Sequence, residues 1–385
     1  MKYVSLCSGI EAATQAWHPL GWEALAFSEI DPYCCEYLAH HYPNVPNLGS
    51  MDNWREWPIE LIGQADVLVA GTPCQSFSIA GLRKGLDDDR GNLTLIFVEI
   101  ANAVDNFRRD NGLDALRIVW ENVPGVYSDD TNGFGSLLAG FCGSDAAIEP
   151  PRGRSWTNAG VVSGPRRTAA WRTLDAQYFG VAQRRRRCFV FARGGAGNWQ
   201  PPDALLPVAE GVLRNPPPRR ETGQCLAGTI GGGAGERGWS HSPDVSGAFI
   251  TMQANKRWPA EIAPTLNAHY GDKWGLEDQN ALNGGGLFVV FTQNQRDEVR
   301  IRDIPGALSA QPGAKQQDYV ATGGWVRRLT PKECERLQGF PDDATLIPRK
   351  NGKPAADGPR YKALGNSMAV PVMRWLGEQI ERVMV

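Results

Sequence analysis

The chain has 385 residues, 42% hydrophobic and 21% charged, which is enough for a sizeable core and two domains and excludes a disordered or low-complexity chain. Its formal net charge of -2 excludes a uniformly basic polyanion binder. Any nucleic-acid signal must therefore lie in the local distribution of charge.

The first element is a short strand, Tyr3-Val4-Ser5-Leu6-Cys7, turned by Ser8-Gly9. A helix is expected over 10–17, with Glu11 early in its first turn. A strand, a glycine turn and a helix N-terminus make a cofactor cradle, because free N–H groups point at the ligand. One glycine in the turn makes this a weak signal alone. A second strand over 23–28 ends in Glu29-Ile30-Asp31. A carboxylate at that strand end can take ribose hydroxyls. Asp31 before Pro32 also reads as a helix N-cap, and both readings can hold, with Glu29 on the ligand and Asp31 on the cap. His40 and His41 read as surface helix residues.

The next strand, over 66–70, is an apolar run that breaks at Gly71-Thr72-Pro73, and Cys74 follows at once. The carboxyl end of a parallel strand is where open α/β sheets put their chemistry. A lone cysteine is more often a half-buried structural thiol; the neighbourhood favours a nucleophile. Gly81, Gly85, Gly91 and Asp87-Asp88-Asp89 make the following loop read as a mobile polar lid. A helix from about 92 to 107 leads to a buried strand over 116–120, ending in Glu121-Asn122-Val123-Pro124-Gly125. If the two strands are neighbours, a thiol and a carboxyl share one pocket. Strands alternating with helices indicate a doubly wound parallel α/β sheet in this half.

Residues 143–167 read as an added surface excursion or an extra contact with a phosphate-bearing partner. Strands over 168–176 and 188–192 flank a run ending in Gln183-Arg184-Arg185-Arg186-Arg187. Alternation along a strand sends Arg185 and Arg187 to one face, Arg184 and Arg186 to the other. Between positions 151 and 193 ten arginines stand against one acidic residue, Asp175. Such an excess suits a phosphate-bearing partner, although a solvated basic face is its commoner cause.

Residues 194–325 are rich in Gly, Pro, Asn and Gln and read as a second domain of short strands and loops. A pattern Leu-x-[Ala/Gly]-x-x-Gly recurs at 226–231, 266–271 and 308–313, as duplicated units would give and chance also could. Order returns with Thr330, Pro331 and Glu333, an N-cap, N1 and N3 set that forms a capping box. That helix should run to about 337 and stop at Gly339-Phe340-Pro341. A polar loop over 349–359 leads to Tyr361-Lys362-Ala363-Leu364-Gly365-Asn366-Ser367. A final helix over 372–384 carries Val372, Met373, Leu376, Ile380 and Val383 on one face, to be buried on the first domain. The eight cysteines include no CxxC pair and no dense disulfide pattern, so a reducing cytosol and no metal are expected. No apolar run approaches membrane-spanning length, and a strand starting by Tyr3 leaves no room for a leader, so the expected location is cytoplasmic.

In this order, Ser5-Leu6-Cys7-Ser8-Gly9, Gly71-Thr72-Pro73-Cys74-Gln75-Ser76-Phe77-Ser78, Glu121-Asn122-Val123, Gln183 to Arg187, Arg328 to Pro341 and Gly365-Asn366-Ser367 resemble the motifs of the C5-cytosine DNA methyltransferase family, bacterial or phage type. The resemblance implies a Rossmann-like methyltransferase fold: an α/β doubly wound mixed sheet with a second, smaller, irregular β-rich target-recognition domain. It divides the chain into a catalytic domain (1–193), the recognition domain (194–325) and a return segment completing the catalytic domain (326–385).

The resemblance also implies methyl transfer from S-adenosylmethionine to carbon 5 of a cytosine flipped out of double-stranded DNA, often within a restriction-modification system, by a monomer that uses no metal. Cys74 is then the thiolate that adds to carbon 6. Glu121 serves N3 and the amine. Arg187, with Arg185 as second choice, stabilises charge at O2. Cofactor contacts are expected from Leu6, Cys7, Ser8, Gly9, Ile10, Glu29, Ile30, Met51, Asp52, Gly71, Pro73, Asn366 and Ser367.

The pattern departs from the family where Cys7 replaces a phenylalanine and Glu11 a second glycine. It departs again at Gly49-Ser50, which leaves Ser50, Met51 and Asp52 as alternatives for the adenine. Competing functions are a catalytically inactive DNA-binding relative, an RNA cytosine-5 methyltransferase, and a thiol-redox or cysteine hydrolase enzyme. For the last, no histidine partner stands in a recognisable position.

Overall fold

The computed structural model describes residues 1–73, 93–151, 155–194, 288–293, 299–302, 308, 317–322, 325–349 and 352–382. Cys74, the loop to residue 92, most of 194–325 and the repeated glycine pattern lie outside the described residues, apart from position 308.

The elements are β1 (Lys2–Leu6), α1 (Ala12–Trp17), β2 (Glu23–Ser28), α2 (Pro32–His41), α3 (Ile59–Ile62), β3 (Val67–Ala70), α4 (Leu93–Asp110), β4 (Arg117–Asn122), α5 (Gly133–Cys142), β5 (Ala159–Ser163), β6 (Arg167–Asp175) and β7 (Arg186–Gly194). Four further strands follow, β8 (Phe288–Gln293), β9 (Val299–Arg302), β10 (Gln317–Thr322) and β11 (Trp325–Arg328), then α6 (Pro331–Gln338), α7 (Asp357–Asn366) and α8 (Val370–Arg382).

β1 to β7 form one seven-stranded sheet in the order β2-β1-β3-β4-β7-β6-β5. The first four strands are parallel; β7, β6 and β5 are antiparallel to their neighbours. The sheet is thus mixed, and its orientation changes at the β4–β7 pair. A second, four-stranded antiparallel sheet has the order β11-β10-β8-β9.

Both faces of the large sheet are covered, which explains why its central strands are apolar without alternating with polar residues. Val67 and Val69 of β3, Val119 of β4, and Phe189 and Phe191 of β7 join one cluster with α1, α2, α6, α7 and α8. Leu68, Ala70, Ile118, Trp120, Val190 and Ala192 point the other way, into α4 and α5. The period-2 pleat sorts each strand between two cores.

Three details bear on the expectations. The capping box at Thr330 is present: the Thr330 hydroxyl accepts from the Glu333 N–H, and the Glu333 carboxylate accepts from the Thr330 N–H. Asp31 caps α2 with Pro32 at its first position. Residues 143–167, by contrast, are no mere surface excursion. They supply edge strand β5, and Trp156 stacks edge-on to Phe134 and Trp171 at centroid distances of 5.3 and 5.4 Å. Aromatic burial of that kind anchors the segment in the second core.

Candidate active site

The site lies at the carboxyl ends of β3 and β4, where β7 enters. Adjacent parallel pairing aligns Val67–Ala70 with Arg117–Trp120, so both strand ends emerge on one rim. The antiparallel partner delivers its beginning to the same rim, with Glu121 opposite Phe189 and Asn122 opposite Cys188. Arg187 stands one position beyond that pair, and its Nε lies 2.9 Å from Glu121 Oε1. The distance makes an ion pair. The angle falls short of a formed hydrogen bond, since Oε1 has no hydrogen-bonding partner. Glu121 is buried and Arg187 half-buried.

Gly71 sits directly beneath. A Cβ there would lie 3.3 Å from Glu121 Oε2 and 3.0 Å from Met368 Cε. The absence of a side chain lets the carboxylate rest against the strand that leads into Cys74. The next residue, Thr72, is locked in place: its hydroxyl accepts from Trp120 Nε1 (2.8 Å) and pairs with the Thr94 hydroxyl (2.9 Å). Asn122 Nδ2 donates to the Thr72 carbonyl at 3.1 Å. Asn122 is a residue to which sequence reasoning gave no role, although it stood inside the Glu-Asn-Val motif. Its adjacency to Glu121 is the signal: a side-chain amide there ties the carboxylate's strand to the backbone entering the thiol loop.

Alternation along the arginine run is as expected, with Arg184 and Arg186 exposed and Arg185 buried. The two inward arginines nevertheless sit differently. Arg185 Nη2 donates to the carbonyls of Gly365 (2.9 Å) and Ser367 (2.6 Å). Burial pushes its pKa down to about 9, nearby Arg187 adds to the fall, and Glu121 opposes it. Arg185 therefore braces the rim while Arg187 faces Glu121. The arginine excess is likewise divided: Arg167 is buried and holds Asp105, Asn102 and two carbonyls of the helical layer.

At the ends of β1 and β2, Glu29, which follows β2, and Gly9, in the turn after β1, meet. Glu29 Oε2 accepts from the Gly9 N–H at 2.6 Å, while Oε1 accepts from the N–H groups of Ile30 (2.8 Å) and Asp31 (2.7 Å). Ile30 is 68% exposed beside this carboxylate. A carboxylate for hydroxyls next to an open aliphatic face fits the ribose and the base of a nucleoside.

Cys7, Gly9 and Glu11 all adopt left-handed backbone, with φ of 51°, 56° and 55°. Glycine tolerates that region best, which accounts for the glycine expected at position 11. Glu11 compensates by capping α1: Oε2 accepts from the Thr14 hydroxyl (2.6 Å) and the Thr14 N–H (3.2 Å). Burial pushes the Glu11 carboxyl up to about 7. The Cys7 thiol lies 3.5 Å from Met51 Sδ and is pushed up to about 12, first by burial and then by Glu29 and Asp52.

Leu6, Ile10 and Met51 are buried, Ile10 in the first core and Leu6 and Met51 in the second. Pro73, Asp52 and Asn366 are exposed. Ser8 donates to the Ser5 carbonyl at 2.8 Å, and Ser50 donates to Asp52 at 2.8 Å. Ser367, at the C-cap of α7, is buried.

A mixed seven-stranded sheet with helices on both faces is the Rossmann-like methyltransferase fold. The C-5 cytosine-specific DNA methylase model matches residues 1–142 and 167–382, and the chain belongs to that family. The gap in the match falls on the stretch that carries β5 and Trp156. Members of this family use S-adenosylmethionine as methyl donor.

A DNA N-6-adenine-methyltransferase of Escherichia phage P1 is 40% identical over 99% of this chain, and the chain spans 61% of that protein's length. The type II methyltransferase M2.BsuMI of Bacillus subtilis is 26% identical over 99% of this chain and 76% of its own. Among solved structures, the S. pombe Dnmt2 methyltransferase superposes with a TM-score of 0.52 at 14% identity, covering 100% of both chains, which is a likeness of fold.

Proposed function

We propose that this chain is a DNA (cytosine-5-)-methyltransferase that acts on a cytosine flipped out of a specific duplex sequence through a covalent Cys74 adduct. The reading is carried by the Glu121–Arg187 pair, set against Gly71 on the strand that runs into Cys74. Carbon 5 of cytosine is a weak nucleophile, and addition at carbon 6 turns the ring into an enamine. In this reading the Cys74 thiolate forms the S–C6 bond. Glu121 provides a proton or hydrogen bond at N3 and the amine, and the fixed donors of Arg187 hold the negative charge at O2. S-adenosylmethionine supplies the electrophilic methyl group, and Glu29 and Ile30 are the residues that would seat its ribose and adenine. Once carbon 5 is methylated, a water removes its proton, the electron pair restores the ring, and the S–C6 bond breaks to release Cys74.

Residues 194–325 are assigned to target recognition, and 1–193 with 326–385 to catalysis. Base edges would be read in the major groove, with arginines such as Arg184 and Arg186 on phosphates.

One observation favours a second reading. The phage P1 relative is named for N-6-adenine transfer. Transfer to an exocyclic amine needs no addition to the ring, and hence no thiolate. Mass spectrometry of nucleosides from treated duplex DNA separates the two. Cytosine chemistry predicts 5-methylcytosine that disappears in Cys74→Ala; N6-methyladenine that survives in Cys74→Ala would overturn the reading. Exchanging 194–325 for the matching segment of another family member should move the methylated sequence, and an unmoved sequence would place recognition elsewhere.

A further inference from the structure

Gln338 has no part in the chemistry above, yet it is buried at the end of α6. Its Nε2 donates to the carbonyls of Leu364 (2.6 Å) and Ser367 (3.3 Å). Arg185 Nη2 donates to Gly365 and to the same Ser367 carbonyl. Leu364 and Gly365 belong to the last turn of α7, and Ser367 is its C-cap. These are carbonyls that a helix leaves without donors of its own, and a guanidinium there also faces the negative end of the helix dipole. The C-terminus of α7 is thus closed by two buried side chains from distant parts of the chain. Arg185 is two residues from Arg187, and Asn366 stands in the turn the clamp closes. A buried carbonyl that loses its donor is left unsatisfied, so each half of the clamp holds the other's target in place.

We propose that Gln338 is a positioning residue: by sharing the Ser367 carbonyl with Arg185, it fixes the Gly365-Asn366-Ser367 turn and ties the cofactor side of the site to the arginine facing Glu121. The inference rests on the function proposed above, in which Asn366 and Ser367 adjoin S-adenosylmethionine and Arg187 adjoins the base.

The test uses the full chain and two readouts: calorimetric binding of S-adenosylmethionine without DNA, and single-turnover transfer to duplex DNA at saturating cofactor. Gln338→Met, which keeps the volume but removes the amide, should weaken cofactor binding about tenfold, the loss expected of one stranded buried carbonyl. Arg185→Lys should weaken it comparably. Because each half of the clamp holds the other's target in place, the double variant should lose less than the product of the single losses. A role confined to stability would lower the melting temperature and leave cofactor affinity unchanged; that result, or single losses that simply multiply, overturns the proposal. If Gln338→Met does not fold, Gln338→Asn, whose amide is one methylene short of the two carbonyls, serves the same comparison. Failure of the unaltered protein to bind S-adenosylmethionine would instead remove the functional reading itself.

Discussion

Glu11 joins two demands that rarely coincide, a left-handed backbone and a buried carboxyl. Its pKa, about 7 in the folded chain, stands above the unfolded value, so the folded state holds the proton more tightly. The associated stability is present at pH 4 and is lost as pH rises through 7. Glu11→Gln should remove this dependence. Melting temperatures from pH 5 to pH 8 should converge at the acid end, with the variant the more stable at pH 8; parallel curves would mean that Glu11 does not titrate in this range. At Gly71 the issue is room rather than charge. Gly71→Ala would press a methyl group on Met368 and Glu121. Single-turnover transfer should fall at least tenfold while DNA affinity, measured by fluorescence anisotropy, stays within about twofold. Glu121→Gln should give the same split between rate and affinity, because the amide keeps the shape and loses the proton. A variant with weakened DNA binding and normal transfer would contradict the part given to Glu121.

Among the elements, α6 offers a direct measure of a sequence signal. Its capping box was legible in Thr330, Pro331 and Glu333, since the chemistry is local. Thr330→Ala should cost about 1 kcal/mol in denaturant unfolding. A change near zero would mean that tertiary packing alone holds the helix start. Strands β1 to β4 were legible for a similar reason: apolar runs closed by glycine, proline or a polar pair. Edge strand β5 was hidden, because Ala159–Ser163 has only two large apolar residues and is half exposed. Helix α7 was read partly as loop, because Gly358, Pro359 and Gly365 signal turns. Its stability comes from far away: buried Arg360 pairs with buried Glu335, and the clamp at its C-terminus is built by Gln338 and Arg185. The pairing of Arg187 with Glu121 was open in the sequence, where alternation gave a face but no partner. Strand order supplied it, and no pattern within one strand encodes order.

At the scale of the molecule, the return segment is part of the first core. Trp17 of α1 donates to the Met373 carbonyl of α8 at 2.7 Å, and Trp22 donates to Glu381 at 2.7 Å. Gly377 lets the helices approach: a Cβ there would lie 2.7 Å from Trp17 Cδ1. Removing residues 370–382 should expose both tryptophans, seen as a red shift in their fluorescence and a broad, non-cooperative melt; a sharp melt at the original temperature would mean that α8 is dispensable.

The reversal between β4 and β7 has its own consequence. The chain departs from Asn122 and comes back through Arg186 on the same rim, with Asn122 and Cys188 side by side. A detour that starts and finishes at one place contributes nothing to the distance between its ends. Its length can therefore change without altering the spacing of carboxylate and guanidinium, and the stretch before Arg167 that lies outside the family match falls within it. A shortened hairpin that preserved Trp156 and Trp171 should leave that spacing untouched.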